Sequence, residues 1–286
     1  LGTPFDAQAM QALTRATPAR IAVGRSGARY RTNTLLRFRA DHAAAKDAVL
    51  SDVDYQLGQR VPGRFWGLVP IDGMEEPGKK KLQIVLVDGD GNELEPITET
   101  LTVTDAGFPT EDVEIPPEKS DLLAPGIYDE EVKMLATAYS TFTPKKRWEG
   151  PFVQPAQGTF TSPYGIRRGY NGAPVSTYHR GLDIAADPGT PINAANNGRV
   201  VFAGELKIRG NAVILDHGYG IFSGYNHMES FQVELGQDLK TGDLIGNMGT
   251  TGLSTGSHLH WEVAVRGTTI DPSVWLQDEV SPPDRA

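Results

Sequence analysis

The chain of 286 residues is long enough for about two domains, and its hydrophobic content of 39% is ordinary for a folded protein. Its 27 basic and 36 acidic residues give a formal net charge of −9, which argues against nucleic acid or an anionic membrane surface as a partner. The absence of cysteine excludes disulfides and thiolate metal ligands, so any metal site must use nitrogen and oxygen atoms.

Short segments in the first 107 residues are rich in alternating apolar and β-branched residues, with Gly, Pro and Asp between them. Several such segments at this spacing predict a β-sandwich-like domain. The clearest predicted strands lie at residues 30–38, 64–69, 82–87 and 97–103. The acidic loop at 88–93 resembles part of a calcium-binding loop. However, Glu93 stands where an EF-hand requires glycine, so a β-hairpin is favoured.

Residues 108–150 are predicted to be a linker that contains one helix. Apolar side chains recur at spacings of three and four, and Pro144 ends the run. This pattern predicts an amphipathic helix that packs on a domain, with its apolar face formed by Val132, Leu135, Ala136, Tyr139 and Phe142.

Five of the six histidines lie between residues 179 and 260. His258 and His260 are two residues apart in a segment with strand character, so both imidazoles are expected on one face. A catalytic zinc ion usually takes three protein ligands and leaves a fourth position open. His179, Asp183 and one member of the 258/260 pair would supply such a set. The rest of the domain, residues 151–286, is glycine-dense and strand-rich, which predicts an antiparallel β-structure with a groove.

Further motifs accompany these residues in order along the C-terminal half: Thr-Ser-Pro-Tyr-Gly-Ile-Arg-Arg at 161–168, His-Arg-Gly-Leu-Asp at 179–183, Asp-His-Gly at 216–218, Tyr-Asn-His-Met at 225–228 and Gly-Ser-His-Leu-His-Trp-Glu-Val at 256–263. In these motifs the chain resembles the lysostaphin-like (LytM-type) zinc endopeptidases, which cut peptide cross-links in bacterial peptidoglycan. The resemblance covers about half of the chain.

The resemblance implies that His179, Asp183 and His260 bind one zinc ion and that His227 and His258 are the catalytic histidines outside the ligand set. One imidazole can act as a general base and the other can donate a hydrogen bond to the oxyanion. The sequence leaves open which residue does which.

Four nearby residues have weaker predicted roles. Tyr178 and Tyr225 are candidates to line the substrate groove. His217 and Asp216 belong to the family pattern without being ligands there, and a turn or a supporting role is expected for them. The departures from the pattern, which include Ser257, remove no ligand and no catalytic histidine. The family also has members that lost ligands and activate other wall hydrolases.

The sequence therefore predicts a mainly β protein whose C-terminal domain is a zinc endopeptidase acting on peptidoglycan stems or cross-links. A secreted or periplasmic location is expected, with a signal or anchor already removed because the sequence begins at Leu1. No run is long enough for a transmembrane segment. Partners in cell division or wall synthesis are not identifiable. Two alternatives stay open: a non-hydrolytic wall-binding or activator protein on the same fold, and a latent enzyme occluded by its N-terminal region.

Overall fold

The computed structural model describes the backbone of six short strands between residues 19 and 61, and then residues 64–87, 90, 92, 93 and 95–277. Side-chain burial is described for residues 67–85, 90, 92, 93 and 95–277. The chain divides into two compact units, one over Ala16–Gly107 and the other over Phe108–Glu279. Among the described helices, none has the length and apolar character needed to cross a membrane.

The N-terminal unit contains two β-sheets. Its strands are β1 (Ala19–Ile21), β2 (Arg29–Arg31), β3 (Leu35–Asp41), β4 (Asp47–Leu50), β5 (Tyr55–Gln56), β6 (Gly58–Val61), β7 (Arg64–Pro70), β8 (Gly78–Val87) and β9 (Ile97–Thr104). One sheet has the order β1-β3-β7-β6 and the other has the order β2-β9-β8-β4-β5. Two sheets in one unit are what a sandwich requires, although the sandwich itself stays a prediction.

Two details of the N-terminal prediction can be checked. Strands β8 and β9 pair antiparallel, with Ile84 opposite Ile97, as the predicted hairpin requires. The predicted single strand over 30–38 is wrong, because β2 and β3 belong to different sheets. Asn33, a residue type that favours turns, stands between them in the sequence.

The C-terminal unit carries the other strands and the helices. The strands are β10 (Thr110–Val113), β11 (Thr159–Ser162), β12 (Arg167–Tyr170), β13 (Thr177–Tyr178), β14 (Leu182–Ala185), β15 (Pro191–Asn193), β16 (Gly198–Leu206), β17 (Gly210–Gly218), β18 (Ile221–Phe231), β19 (Asp238–Leu239), β20 (Leu244–Met248), β21 (His258–Val265) and β22 (Thr268–Ile270). A 3₁₀ helix spans Pro117–Leu123, and the α-helices are α1 (Ile127–Ser140) and α2 (Ser273–Gln277). The predicted mainly β fold is confirmed.

The large antiparallel sheet of this unit follows the order β11-β14-β21-β18-β17-β16-β19. Strand β17, an inner strand of this sheet, is buried along almost its whole length, which explains the uninterrupted apolar run at 212–215. Helix α1 covers one face of the sheet. Leu135 of the helix packs with a sheet cluster formed by Leu206, Ala212, Ile214 and Phe222. The strand pairs β14–β21 and β21–β18 lie next to each other and carry the candidate site.

The segment predicted as a linker, 108–150, is an integral part of this unit, so that part of the prediction is corrected. Strand β10 pairs parallel with β12, and Trp148 is buried. The helix was predicted, but its buried face is rotated from the expected one. Leu135 is buried as expected, whereas Val132 and Ala136 are exposed and Glu131 is buried.

Candidate active site

Three candidate metal ligands converge because of strand register. Strands β14 and β21 pair antiparallel with Asp183 directly opposite His260, and His179 follows β13 immediately. His179 Nε2 lies 2.9 Å from Asp183 Oδ1 and 2.9 Å from His260 Nδ1, and the last two atoms are 2.7 Å apart. The described residues thus form a compact, largely buried triangle of one oxygen and two nitrogens.

Hydrogen bonds on the far side of each ring fix the tautomers in the neutral form. His179 Nδ1 lies 2.7 Å from the carbonyl oxygen of Pro163, which can only accept, so Nδ1 carries the proton and Nε2 the lone pair. His260 Nε2 lies 3.1 Å from Glu262 Oε1, so Nε2 donates and Nδ1 carries the lone pair. Two imidazole lone pairs and a carboxylate oxygen then meet at one point, where a positive charge is needed. This donor set and its outer hydrogen bonds fit a zinc ion.

The protonation states of the three residues also indicate that the triangle requires a positive charge. Burial lowers the pKa of His179 to about 4 and keeps it neutral. Burial also opposes protonation of His260, but hydrogen bonds to Asp183 and Glu262 outweigh it and raise the pKa of His260 to about 9. Burial favours the neutral acid of Asp183, whereas His179 and His258 reverse this and hold its pKa well below the ordinary value. A proton on His260 therefore balances the charge of Asp183, and a bound metal ion could take the place of that proton.

Behind His260 lies a buried charged group that the sequence analysis missed. Glu262 Oε1 accepts a hydrogen bond from His260 Nε2 at 3.1 Å. Its two oxygens also accept from Arg209 Nη2, at 3.2 and 3.4 Å. Burial disfavours the carboxylate of Glu262, but Arg209 and His260 lower its pKa to about 2. The spacing contained a signal for Glu262, because it lies two residues beyond His260 on one strand and so shares its face.

His227 and His258 lie beside the triangle. Their ring centroids are 4.9 Å apart, and His258 Nε2 is 3.8 Å from Asp183 Oδ1. His227 Nδ1 donates to the carbonyl of Thr251, and His258 Nδ1 donates to that of Gly256, each at 2.8 Å. In the neutral rings each Nε2 therefore keeps its lone pair. Burial, with smaller contributions from His258 and His260, lowers the pKa of His227 well below its ordinary value.

The position of His227 depends on an unusual backbone. Its φ is 62°, in the left-handed region that non-glycine residues adopt uncommonly and that Asn, Asp and His adopt most often among them. The pairing of β17 with β18 shifts register here, and β18 changes partner from β21 at Asn226 to β20 at Met228. This bulge turns the imidazole towards the ligands.

The prediction that Tyr178 and Tyr225 line the groove is wrong, because both phenols face the interior. Tyr225 is fully buried, and its oxygen accepts from the backbone N–H of Ala195 at 2.8 Å. The bulge at His227 interrupts the alternation that would place residues 225 and 227 on one face. Tyr178 directly precedes His179 in extended backbone, so the two side chains point to opposite sides, and its hydroxyl lies 3.1 Å from Thr269 Oγ1.

His217 and Asp216 lie away from the triangle. Asp216 accepts from the N–H of Gly218 at 2.7 Å, which forms a turn, and from the Thr143 hydroxyl at 2.6 Å. His217 is fully buried and bonds Asn197 O and Ser223 Oγ, each at 2.7 Å. Both residues therefore support the domain and do not contact the metal ligands.

The segment before helix α1 touches both sides of the site. On one side, Glu111 of β10 pairs with Arg168 Nε at 3.3 Å, and Arg168 Nη2 lies 3.7 Å from Asp183 Oδ2. On the other side, Lys119 Nζ donates to the carbonyls of Thr250 and Ser254, each at 2.8 Å. That loop also contains the carbonyl that holds His227.

The segment that carries this site is similar to known proteins. The family model described as Peptidase family M23 matches residues 177–272, a range that includes the four histidines and the aspartate of the site described above, and also the supporting residue His217. A second model, ethanolamine ammonia-lyase light chain (EutC), matches residues 7–62, for which the structure describes no side chains. The DD-carboxypeptidase/endopeptidase Mpg of Neisseria meningitidis is 39% identical over 94 residues, which are 33% of this chain and 22% of Mpg. The murein hydrolase activator NlpD of Escherichia coli is 34% identical over 137 residues, 48% of this chain and 33% of NlpD.

The chain thus matches only about a fifth to a third of the length of these two curated relatives. A solved structure covers much more: a crystal structure assigned to peptidase M23 from Pseudomonas aeruginosa is 25% identical, with a TM-score of 0.61 over 93% of this chain and 97% of that one. The similarity therefore extends over both units. The chain belongs to peptidase family M23.

Proposed function

We propose that the protein is a zinc-dependent endopeptidase that hydrolyses peptide bonds in the stems or cross-links of peptidoglycan, in a secreted or periplasmic setting. The observation that carries this proposal is the triangle of His179, Asp183 and His260, whose outer hydrogen bonds leave lone pairs facing one point. Membership of family M23 and the name of Mpg support the peptidase class, and the similarity to the murein hydrolase activator NlpD supports the wall substrate.

In this proposal His179 Nε2, Asp183 Oδ1 and His260 Nδ1 hold the zinc ion. Zinc, when bound, supplies Lewis acidity that activates water and polarises a carbonyl. His227 and His258 are held by the backbone carbonyls of Thr251 and Gly256, and each presents Nε2 as a proton acceptor when neutral. One of them takes the proton of the attacking water, and the other, once protonated, donates to the oxyanion or the leaving amine.

The proposal is tested by digestion of purified peptidoglycan sacculi with the full chain, with and without a chelator, and mass analysis of the fragments. Zinc-dependent release of peptide-cleaved products supports it and names the bond. A zinc-loaded protein that releases nothing argues against hydrolysis. His258→Ala, which leaves the ligand triangle intact, is the control for contaminating hydrolases.

A second candidate function is activation of another wall hydrolase, which the similarity to NlpD favours. The two candidates differ in whether turnover belongs to this chain. In the sacculus assay an activator releases fragments only when a second hydrolase is added, and His258→Ala does not affect that release.

A latent enzyme is the third candidate, favoured by the contacts of Lys119 and Glu111 on the two sides of the site. If this segment limits substrate access, Lys119→Ala should raise the rate of sacculus digestion. Lys133→Ala is the matched control, because Lys133 is an exposed lysine on helix α1. An unchanged or lower rate for Lys119→Ala argues against latency through this contact.

A further inference from the structure

Helix α1 carries a carboxylate in a place where an apolar side chain would be expected. Glu131 lies on the same face as Leu135 and is only 2% exposed, whereas the neighbouring Glu130 points to solvent. Burying an ionised carboxylate is unfavourable unless it is paired and hydrogen-bonded. The contacts of Glu131 therefore indicate what this charge does.

Both oxygens of Glu131 accept hydrogen bonds from one short segment, Ile208 and Arg209, which lies between strands β16 and β17. Oε1 accepts from Arg209 Nη1 at 2.6 Å. Oε2 accepts from the backbone N–H groups of Ile208 and Arg209, at 2.7 and 3.3 Å. The carboxylate thus fixes the backbone and the guanidinium of Arg209 together.

The other end of the same guanidinium is directed at the metal site. Arg209 Nη2 donates to both oxygens of Glu262, at 3.2 and 3.4 Å, and Glu262 Oε1 accepts from His260 Nε2 at 3.1 Å. Glu131, Arg209 and Glu262 are all buried. A continuous series of hydrogen bonds therefore runs from helix α1 to the ring whose Nδ1 faces His179 and Asp183.

We propose that Glu131 is a positioning residue for the metal ligand His260, acting through Arg209 and Glu262. Glu131 lies outside the 177–272 segment that matches the family model, so helix α1 adds a part of the site that the model does not contain. The inference rests on the proposed function, because it assumes that His260 binds zinc. It assigns a supporting role to a helix that the sequence placed in a linker.

The physical basis is the orientation of one imidazole. A guanidinium held at both ends cannot turn, so Glu262 stays where it accepts the Nε2 proton and keeps the lone pair on Nδ1. Without the charge on Glu131, the guanidinium of Arg209 loses its ion pair on one side, so Arg209 and Glu262 can both move. The tautomer and the tilt of His260 are then no longer fixed.

The test is zinc affinity of the full chain, measured by competition with a chromophoric chelator. Glu131→Gln should weaken zinc binding by about 10- to 100-fold, the usual effect of losing an outer hydrogen-bond partner of a metal ligand. Glu130→Gln is the matched control, because Glu130 is one residue away, 67% exposed and paired only with the exposed Lys207 in the described contacts. Its affinity should equal that of the wild type.

A double-mutant cycle distinguishes positioning from a general loss of packing. In a Glu262→Gln background the link to His260 is already weakened, so adding Glu131→Gln should cost little further zinc affinity. Equal losses from Glu131→Gln in both backgrounds would overturn the proposal. So would a folded Glu131→Gln protein with wild-type zinc affinity.

A second variant covers the case in which Glu131→Gln does not fold. Arg209→Lys keeps the charge but cannot bind two carboxylates through one planar fork, so it should also weaken zinc binding at least tenfold. Wild-type affinity in that variant would overturn the proposal. A wild-type chain that binds no zinc would refute the metal site of the proposed function as well, whereas intact zinc binding without hydrolysis would affect the proposed function alone.

Discussion

Acid should destabilise the C-terminal unit through a histidine that binds no metal. His217 is fully buried, and its Nδ1 donates to the carbonyl of Asn197 while its Nε2 accepts from Ser223 Oγ. Only the neutral ring can do both. Burial lowers the pKa of His217 to about 4, against partial opposition from the hydrogen bond to Asn197.

The size and sign of the effect follow from linkage. An unfolded histidine titrates near 6.5, so between pH 6.5 and about 4 the unfolded chain binds more protons than the folded one. The free energy of unfolding therefore falls as the pH falls through this range. At 1.36 kcal/mol per pH unit, the contribution of His217 is about 3 kcal/mol, fully present above pH 6.5 and lost below about pH 4.

Urea unfolding at a series of pH values, with chelator present so that the ligands are metal-free throughout, measures this contribution. His217→Asn is the comparison, because its amide can still donate to Asn197 but does not titrate. The wild type's advantage over the variant should shrink by about 3 kcal/mol between pH 7 and pH 4. A difference between the two proteins that stays constant across that range would refute the reasoning.

Three further predictions concern the site itself. His260→Ala should abolish both zinc binding and turnover, whereas His227→Ala should keep zinc and lose turnover; release of the metal by His227→Ala would contradict the separation of ligand and catalytic roles. Hydrolysis should fall in acid, since ligand and base imidazoles must be neutral; because the pKa of His179 is about 4, the rate should fall as the pH drops through that value, and a rate that stays flat well below it would contradict this. Gly181→Ala should weaken zinc binding at least tenfold, because a Cβ there would lie 2.4 Å from the Trp261 carbonyl oxygen and 2.9 Å from the His260 ring. Gly204→Ala, whose Cβ would meet only the Phe202 side chain at 3.3 Å, should bind zinc normally, and equal affinities in the two alanine variants would refute the steric argument.

Local spacing made part of the site predictable. The three residues between His179 and Asp183, and the alternation of His258 and His260 on a strand, place chemically matched groups near one another without any long-range information. The structure brings the expected His179, Asp183 and His260 within hydrogen-bond distance. Their roles as metal ligands remain part of the proposed function.

Long-range and irregular features were not predictable in the same way. Glu131 and Arg209 are 78 residues apart, and a periodicity argument assigns a glutamate to the solvent side of a helix. The buried face therefore appeared shifted towards Val132 and Ala136. Tyr225 was misplaced for a different reason, because a single bulge reverses which residues share a face and no apolar pattern marks it.

The left-handed backbone at His227 has a consequence for divergence within the family. A non-glycine residue held in this region costs about 1 kcal/mol or more, so the backbone conformation alone would favour glycine or asparagine there. The imidazole opposes that replacement through its proposed role and through its burial and its hydrogen bond to the carbonyl of Thr251. In a lineage that no longer needs turnover, the backbone conformation favours glycine or asparagine at position 227, and either residue there would mark a relative that has lost catalysis.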